Sequence, residues 1–390
     1  MTEHVHGTVD ARFARVREVL AEHLSSGLDL GFGFCAYHRG EVVADLWGGH
    51  SDADRRATWG PDTLLPLASI TKAVLSTALW RLAALGHVDV DAPVSRYWPE
   101  FASHGKSCIT IATVLSHRAG IPAFADPVSL KDELERWRVL RKLEGLTPLW
   151  TPGEAHGYHA VVFGFLICEL IRRITGNAAS EAVHRRVAGP LALDLHMRLG
   201  PDETGRLARI FPAASPPPAT VPVPLKEYAD GLTDRDSLLY RATFGSSAMT
   251  PDDVNNPAYH RLERPAAYGT ARAVAKLFAA LSSDIPEGRL LTRGWLQRAT
   301  AERSSGLDEV FRLHTRWATG FMLPGGPLWP DFGRPAFGHI GATGALAFGD
   351  PEREFSFAFL PNKMKSLYEV PDHRAQRLTR TCYEALDRVP

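Results

Sequence analysis

Leu64-Leu65-Pro66-Leu67-Ala68-Ser69-Ile70-Thr71-Lys72 runs directly into Ala73-Val74-Leu75-Ser76-Thr77-Ala78-Leu79-Trp80-Arg81-Leu82-Ala83-Ala84-Leu85-Gly86. Alanine and leucine are strong helix formers, and Gly86 stands where a left-handed C-terminal cap belongs, so a helix is predicted from Ser69 to Gly86. The segment is apolar on nearly every side, the pattern of a buried helix. A buried helix with a polar first turn needs a reason for taking a hydroxyl and an amine out of water. Ser69 and Lys72 are three residues apart, which puts them on one helix face with Cβ atoms roughly 5–6 Å apart. Serine is a weak nucleophile until a base takes its proton, and burial lowers the pKa of a lysine toward that role. The free N–H groups and dipole of a helix N-terminus stabilise developing negative charge at the same place. The same spacing on an exposed helix signals only a capping serine, and the apolar setting separates the two cases.

Outward from this helix, residues 11–24 carry Phe13, Val16, Val19, Leu20 and Leu24 at helical spacing. Residues 31–37 and 41–47 are two apolar runs joined by His38-Arg39-Gly40, a predicted β-hairpin. From about residue 90 to 230 the strand signal fades, and helices are predicted at 111–116, 129–143, 160–175 and 178–187. Residues 211–226 are too rich in proline for a helix and are expected to run extended over a surface or as a lid over a cleft. A helix follows at 270–281, and strands at 345–348 and 354–360 flank the turn Gly349-Asp350-Pro351-Glu352-Arg353 before a final helix at 372–386. Strands at both ends with helices between them predict an α+β fold whose single sheet is assembled from both termini. The expected lobes are 1–85 with 265–390, and a mainly helical insertion at 86–264.

The bulk properties narrow the partners. Lysine plus arginine and aspartate plus glutamate each total 44, so no long-range field favours nucleic acid or anionic lipid, and neither is expected as a partner. The longest apolar run, 160–171, falls well short of the roughly 20 residues that cross a bilayer, so no membrane span is expected. The opening Met-Thr-Glu-His-Val-His-Gly lacks the basic and apolar regions of a secretory signal, and the expected location is cytoplasmic. Cys35, Cys108, Cys168 and Cys382 are scattered among mostly apolar neighbours and are expected to be buried free thiols.

Two further segments carry candidate chemistry. Tyr158 lies in Trp150-Thr151-Pro152-Gly153-Glu154-Ala155-His156-Gly157-Tyr158-His159-Ala160, leading into an apolar helix, where an ammonium nearby would lower the phenol pKa for proton relay. His339-Ile340-Gly341-Ala342-Thr343-Gly344 is small enough for a substrate backbone to approach, and an N–H there would complete an oxyanion hole with that of Ser69. Gly245-Ser246-Ser247-Ala248-Met249 imitates a nucleophile elbow but ends in methionine and follows no clear strand, so it is set aside. His4 and His6 are expected to lie in a frayed terminus without a third ligand.

Taken together, Ser69-x-x-Lys72, Tyr158 and His339-x-Gly341 resemble in order and spacing the three motifs of the serine β-lactamase and penicillin-binding-protein superfamily, closest to the family VIII carboxylesterases. The hairpin at 37–43, the stretch Leu115-Ser116-His117-Arg118-Ala119-Gly120-Ile121 and Pro190-Leu191-Ala192-Leu193-Asp194 add to the likeness, which spans roughly residues 30–365. The resemblance implies a β-lactamase/transpeptidase-like fold: an antiparallel sheet flanked by helices, an all-helical lobe, and a cleft between them. It implies that Ser69 attacks a carbonyl, that Lys72 and Tyr158 handle protons, that the N–H groups of Ser69 and Ala342 hold the oxyanion, and that His339 lines the facing wall. It implies no metal and no organic cofactor.

The second motif departs from the family pattern. It reads Tyr158-His159-Ala160, with alanine where β-lactamases and peptidases usually place an asparagine that holds the substrate amide. That puts peptidase and efficient β-lactamase activity in doubt. The function expected is therefore hydrolysis of a small-molecule carboxylic ester through an acyl-enzyme on Ser69. The alternative is transfer of that acyl group to an alcohol or amine, with amide cleavage and a silent binding protein behind both. Phe124, Trp137, Trp150, His159 and Tyr240 are candidate pocket residues.

Overall fold

The computed structural model describes residues 4–212, 221–249, 251–333 and 335–388. Half of the proline-dense segment, 213–220, lies outside the described residues.

One antiparallel sheet of nine strands organises the chain. Its strands are β1 (Val5–Val9), β2 (Gly31–His38), β3 (Glu41–Gly49), β4 (Ser304–Leu307), β5 (His314–Trp317), β6 (Met322–Leu323), β7 (Phe337–Ile340), β8 (Leu346–Asp350) and β9 (Phe355–Pro361). Their order across the sheet is β1-β3-β2-β9-β8-β7-β6-β5-β4. The N-terminal hairpin and the C-terminal strands meet at the β2–β9 pair, where Phe34 lies opposite Phe359 and Ala36 opposite Phe357. Side chains alternate faces along a strand. Phe32, Phe34 and Ala36 accordingly enter one core with Val16, Val19 and Leu20 of α1 (Ala14–Ser25). Cys35 and Tyr37 enter the other, with helix α2 (Ile70–Ala84). A central strand covered on both faces reads as a continuous apolar run, as residues 31–37 do.

Helix α2 is buried almost throughout, with Val74, Leu75, Ala78, Leu79 and Trp80 inaccessible to solvent. It packs between β7 and helix α3 (Val162–Thr175). The indole N–H of Trp80 donates to the Thr319 carbonyl at 3.1 Å, which ties α2 to the far end of the sheet. The second face of β2 and β9 is covered by α4 (Ala271–Ser282), and α5 (His373–Asp387) lies beside α1.

Several expectations are corrected. The helix expected at 129–143 is two short helices, Leu130–Leu134 and Trp137–Gly145, because Glu135 leaves helical geometry at φ −101°, ψ 67°. The helix expected at 178–187 ends as an α-helix at Val183 and widens over the next turn, His184–Ala188. His6 is not in a frayed end: it sits in edge strand β1, opposite Trp47 of β3. Strands β4 to β7 escaped notice because they are two to four residues long and partly polar. All four cysteines are free, but only Cys35 and Cys382 are buried; Cys168 is half-buried and Cys108 lies exposed in a surface turn. No helix among the described residues is long and apolar enough to cross a membrane.

Candidate active site

Ser69 stands at the N-cap of α2, and the chain reaches it through a sharp turn in which Ala68 adopts φ 45°, a left-handed conformation unusual for alanine. The turn leaves Ser69 half-buried at the helix mouth. Its hydroxyl does not cap the helix. Instead the Tyr158 phenol donates to Ser69 Oγ at 2.7 Å.

Lys72, one turn along, is buried and extends behind the phenol. Its Nζ lies 4.7 Å from the centroid of the Tyr158 ring and donates to the Ala160 carbonyl at 2.7 Å. The hydroxyl and the amine expected to meet directly are thus joined through Tyr158 and the backbone that follows it. No carboxylate pairs with Lys72 among the described residues, and burial alone pulls its pKa down to about 7. The same burial pushes the Tyr158 phenol well above its ordinary value, against the lowering effect of its bond to Ser69. The sequence expectation of a lowered phenol pKa is therefore reversed, because desolvation outweighs the bond to Ser69 and the Asp308 charge adds to the rise.

His339, on β7, lies across from Tyr158 with ring centroids 6.0 Å apart. A carbonyl only accepts, so the 2.7 Å contact between its Nδ1 and the Ile340 oxygen fixes the proton on Nδ1. Burial first and the Lys72 charge second hold its pKa down to about 3, so the ring is neutral. Beyond it the chain turns through Gly341 to Gly344, and Gly341 N–H donates to Ala345 O at 2.7 Å. Gly344 has φ 90°, and a Cβ there would run into Arg374 Nη2 and Asp372 Oδ2. That glycine, on the cavity wall, makes room for the protein's own guanidinium and carboxylate. Gly341 and Ala342 do face the same cavity as Ser69. Neither the Ser69 nor the Ala342 N–H donates to another group among the described residues.

The cavity in front of Ser69 has a volume of about 370 Å³. Phe311 and Trp317 form one wall, and Tyr228, Leu239, Phe244 and Trp329 contribute much of the rest. Residues 226–243, just after the proline-dense stretch, supply two short helices to this wall. The expected pocket residues are placed elsewhere. Phe124 is buried against Phe165, and its N–H is bound to Ser246 Oγ at 3.0 Å. Trp150 packs edge-on against His159, which is itself fully enclosed. Tyr240 lies tilted against Phe244 and does not line the cavity, and Trp137 lies exposed on the surface. Large aromatics are mostly core material, and only topology distinguishes a wall from its backing. Ser246, the rejected elbow serine, is fully buried and donates to Arg241 O at 2.8 Å.

Sequence reasoning missed Asp308, Phe311 and Trp317. Phe311 and Trp317 both stack against the Tyr158 ring at 4.8 Å and 5.3 Å between centroids, with interplanar angles of 18° and 13°. The one local signal was Asp308 followed by Glu309-Val310-Phe311, the pattern of an aspartate that binds the N–H groups two and three residues on.

The family profile described as Beta-lactamase matches residues 17–381. The chain is 30% identical over 377 residues to the Esterase/beta-lactamase LipL of Mycobacterium tuberculosis, covering 95% of this chain and 85% of that protein. Its structure is similar to that of a family VIII carboxylesterase, with a TM-score of 0.86, 31% identity, and 98% and 99% of the two chains covered. A penicillin-binding protein homolog from Caulobacter crescentus gives a TM-score of 0.85 at 33% identity, over 98% and 99% of the two chains.

Proposed function

Because the chain belongs to the beta-lactamase family, we propose that it cleaves carboxylic esters through an acyl-enzyme on Ser69, with Lys72 and Tyr158 moving the proton. It is a serine hydrolase with the β-lactamase/transpeptidase-like fold. The observation that carries the reading is the 2.7 Å bond between Tyr158 and Ser69 Oγ at the mouth of an apolar cavity.

In this mechanism Ser69 Oγ attacks the ester carbonyl as its proton passes to the Tyr158 oxygen. Burial makes a resting phenolate costly, so Tyr158 passes its own proton to the neutral Lys72 amine as it gains that of Ser69, and acts as a relay. Lys72, with a pKa of about 7, is the group whose charge changes near neutrality and which sets the proton balance. The N–H groups of Ser69 and Ala342, without a partner among the described residues, receive the negative oxygen. The alcohol leaves with the proton returned through Tyr158, and water repeats the sequence on the acyl-enzyme. His339, neutral, forms the wall opposite.

An ester is favoured over an amide because Ala160 offers a methyl group where an amide holder would stand, and its carbonyl is already taken by Lys72. The related LipL and the family VIII carboxylesterase carry esterase names, which supports the same substrate class. Small-molecule esters with an apolar arm match the aromatic wall. The lobes at 1–85 with 265–390 and at 86–264, and a cytoplasmic location suited to four free thiols, belong to the same proposal.

The test is hydrolysis of p-nitrophenyl esters, with intact-protein mass recorded on an activated ester. Turnover with an acyl adduct that disappears in Ser69→Ala supports the reading. Absence of both adduct and turnover across acyl lengths refutes it. Faster product release on adding an alcohol, with a new ester formed, would mark a transferase instead.

A further inference from the structure

Tyr158 is held from its backbone as well as from its ring. Three successive N–H groups are each bound: that of Gly157 to His117 O at 3.0 Å, that of Tyr158 to Asp308 Oδ1 at 3.1 Å, and that of His159 to His117 Nδ1 at 3.1 Å. Asp308 is fully buried and is absent from the cavity wall. Its Oδ1 also accepts the N–H groups of Val310 and Phe311, both at 2.9 Å. Its Oδ2 accepts the Thr315 hydroxyl at 3.0 Å, and Thr315 Oγ1 in turn accepts the Trp317 indole N–H at 2.9 Å.

Phe311 and Trp317 are the two aromatic plates stacked against the Tyr158 ring. One carboxylate therefore anchors the backbone of the tyrosine, the backbone of one plate and, through Thr315, the indole of the other. A buried carboxylate is costly, and burial raises its pKa against the lowering effects of the Phe311 N–H, the nearby His156, and the Tyr158 and Val310 N–H groups. Such a cost is expected where the group organises something else.

We infer that Asp308 is the positioning residue of the site: it sets the place and tilt of the Tyr158 phenol on Ser69 without touching substrate. The inference rests on the reading of Tyr158 as the proton relay. A misplacement of about 1 Å costs on the order of 10²-fold in rate. Asp308→Ala is expected to lower kcat by about that factor with KM little changed.

The decisive measurement is a double-mutant cycle with Tyr158→Phe, read as kcat on one p-nitrophenyl ester. If Asp308 acts through the phenol, Asp308→Ala costs about 10²-fold in the parent but less than about 3-fold in the Tyr158→Phe background. Asp308→Asn, which keeps one oxygen for the three backbone N–H groups, is expected to recover at least 10-fold over alanine. Equal losses from Asp308→Ala in both backgrounds would overturn the inference, because the residue would then act on general integrity. A Tyr158→Phe variant with near-parental activity would instead refute the relay assignment, which separates the two failures. Should Asp308→Ala not fold, the same cycle run with Asp308→Asn decides, with coupling expected and additivity refuting it.

Discussion

Lys72→Met should abolish turnover and yet stabilise the protein at neutral pH. Methionine matches the length of the lysine stem and needs no hydration, whereas the Lys72 ammonium is held in a site only 6% exposed with no carboxylate partner among the described residues. Burial lowers its pKa from 10.5 to about 7. One pKa unit is 1.36 kcal/mol, so the unfolded chain binds this proton more tightly by about 5 kcal/mol. That penalty on the folded state is complete below pH 7 and fades as pH rises toward 10.5, leaving about 1 kcal/mol at pH 9.5. Against it stands the Ala160 carbonyl, which loses its donor in the variant at a cost of about 1–3 kcal/mol.

The net expectation for Lys72→Met is a gain of about 2–4 kcal/mol at pH 7 and no gain, or a small loss, at pH 9.5. With an unfolding entropy near 2.1 cal/mol/K per residue, a chain of 390 residues shifts by about 1 °C for each kcal/mol, so Tm should rise by about 2–5 °C at pH 7. Differential scanning calorimetry of both proteins at pH 7 and 9.5 measures this directly. A variant less stable than the parent at pH 7, by an amount independent of pH, would refute the claim that burial sets the state of Lys72.

Ser69→Ala should lower kcat by about 10⁴-fold or more while leaving the thermal transition in place, and mass spectrometry should find no acyl adduct. Tyr158→Phe should lower kcat by about 10²–10⁴-fold, measured on the same ester; a loss under 10-fold would leave proton transfer to Lys72 alone. The parent kcat/KM should rise with pH and level off above about 7, as Lys72 loses its proton. His339 and His159, held down to about 3 and about 4, contribute no step in that range, so a profile flat from pH 5.5 to 8.5 would remove Lys72 as the base. Leu239→Trp narrows the cavity and should cut kcat/KM for an octanoyl ester by about 10-fold or more while sparing the acetyl ester; equal effects on both would place the acyl arm elsewhere.

What the chain itself determines is local. A helix rich in alanine and leucine announces its own burial, the run at 31–37 announces a strand covered on both faces, and Ser69 and Lys72 share a face because a helix repeats every 3.6 residues. Tyr158 and His339 were legible only as motifs, since nothing in their neighbourhoods says what they meet. The tertiary structure decided that the phenol, not the amine, binds the serine, and that desolvation raises the one pKa and lowers the other. It also decided which aromatics face the cavity. Phe124 and Trp150 read as well as Phe311 and Trp317, but the former back the core and the latter stack on Tyr158. Asp308 lies 150 residues from the tyrosine it holds. Periodicity and propensity act over a few turns of chain, whereas hydrogen bonds and desolvation depend on distances in space that only the closed sheet sets.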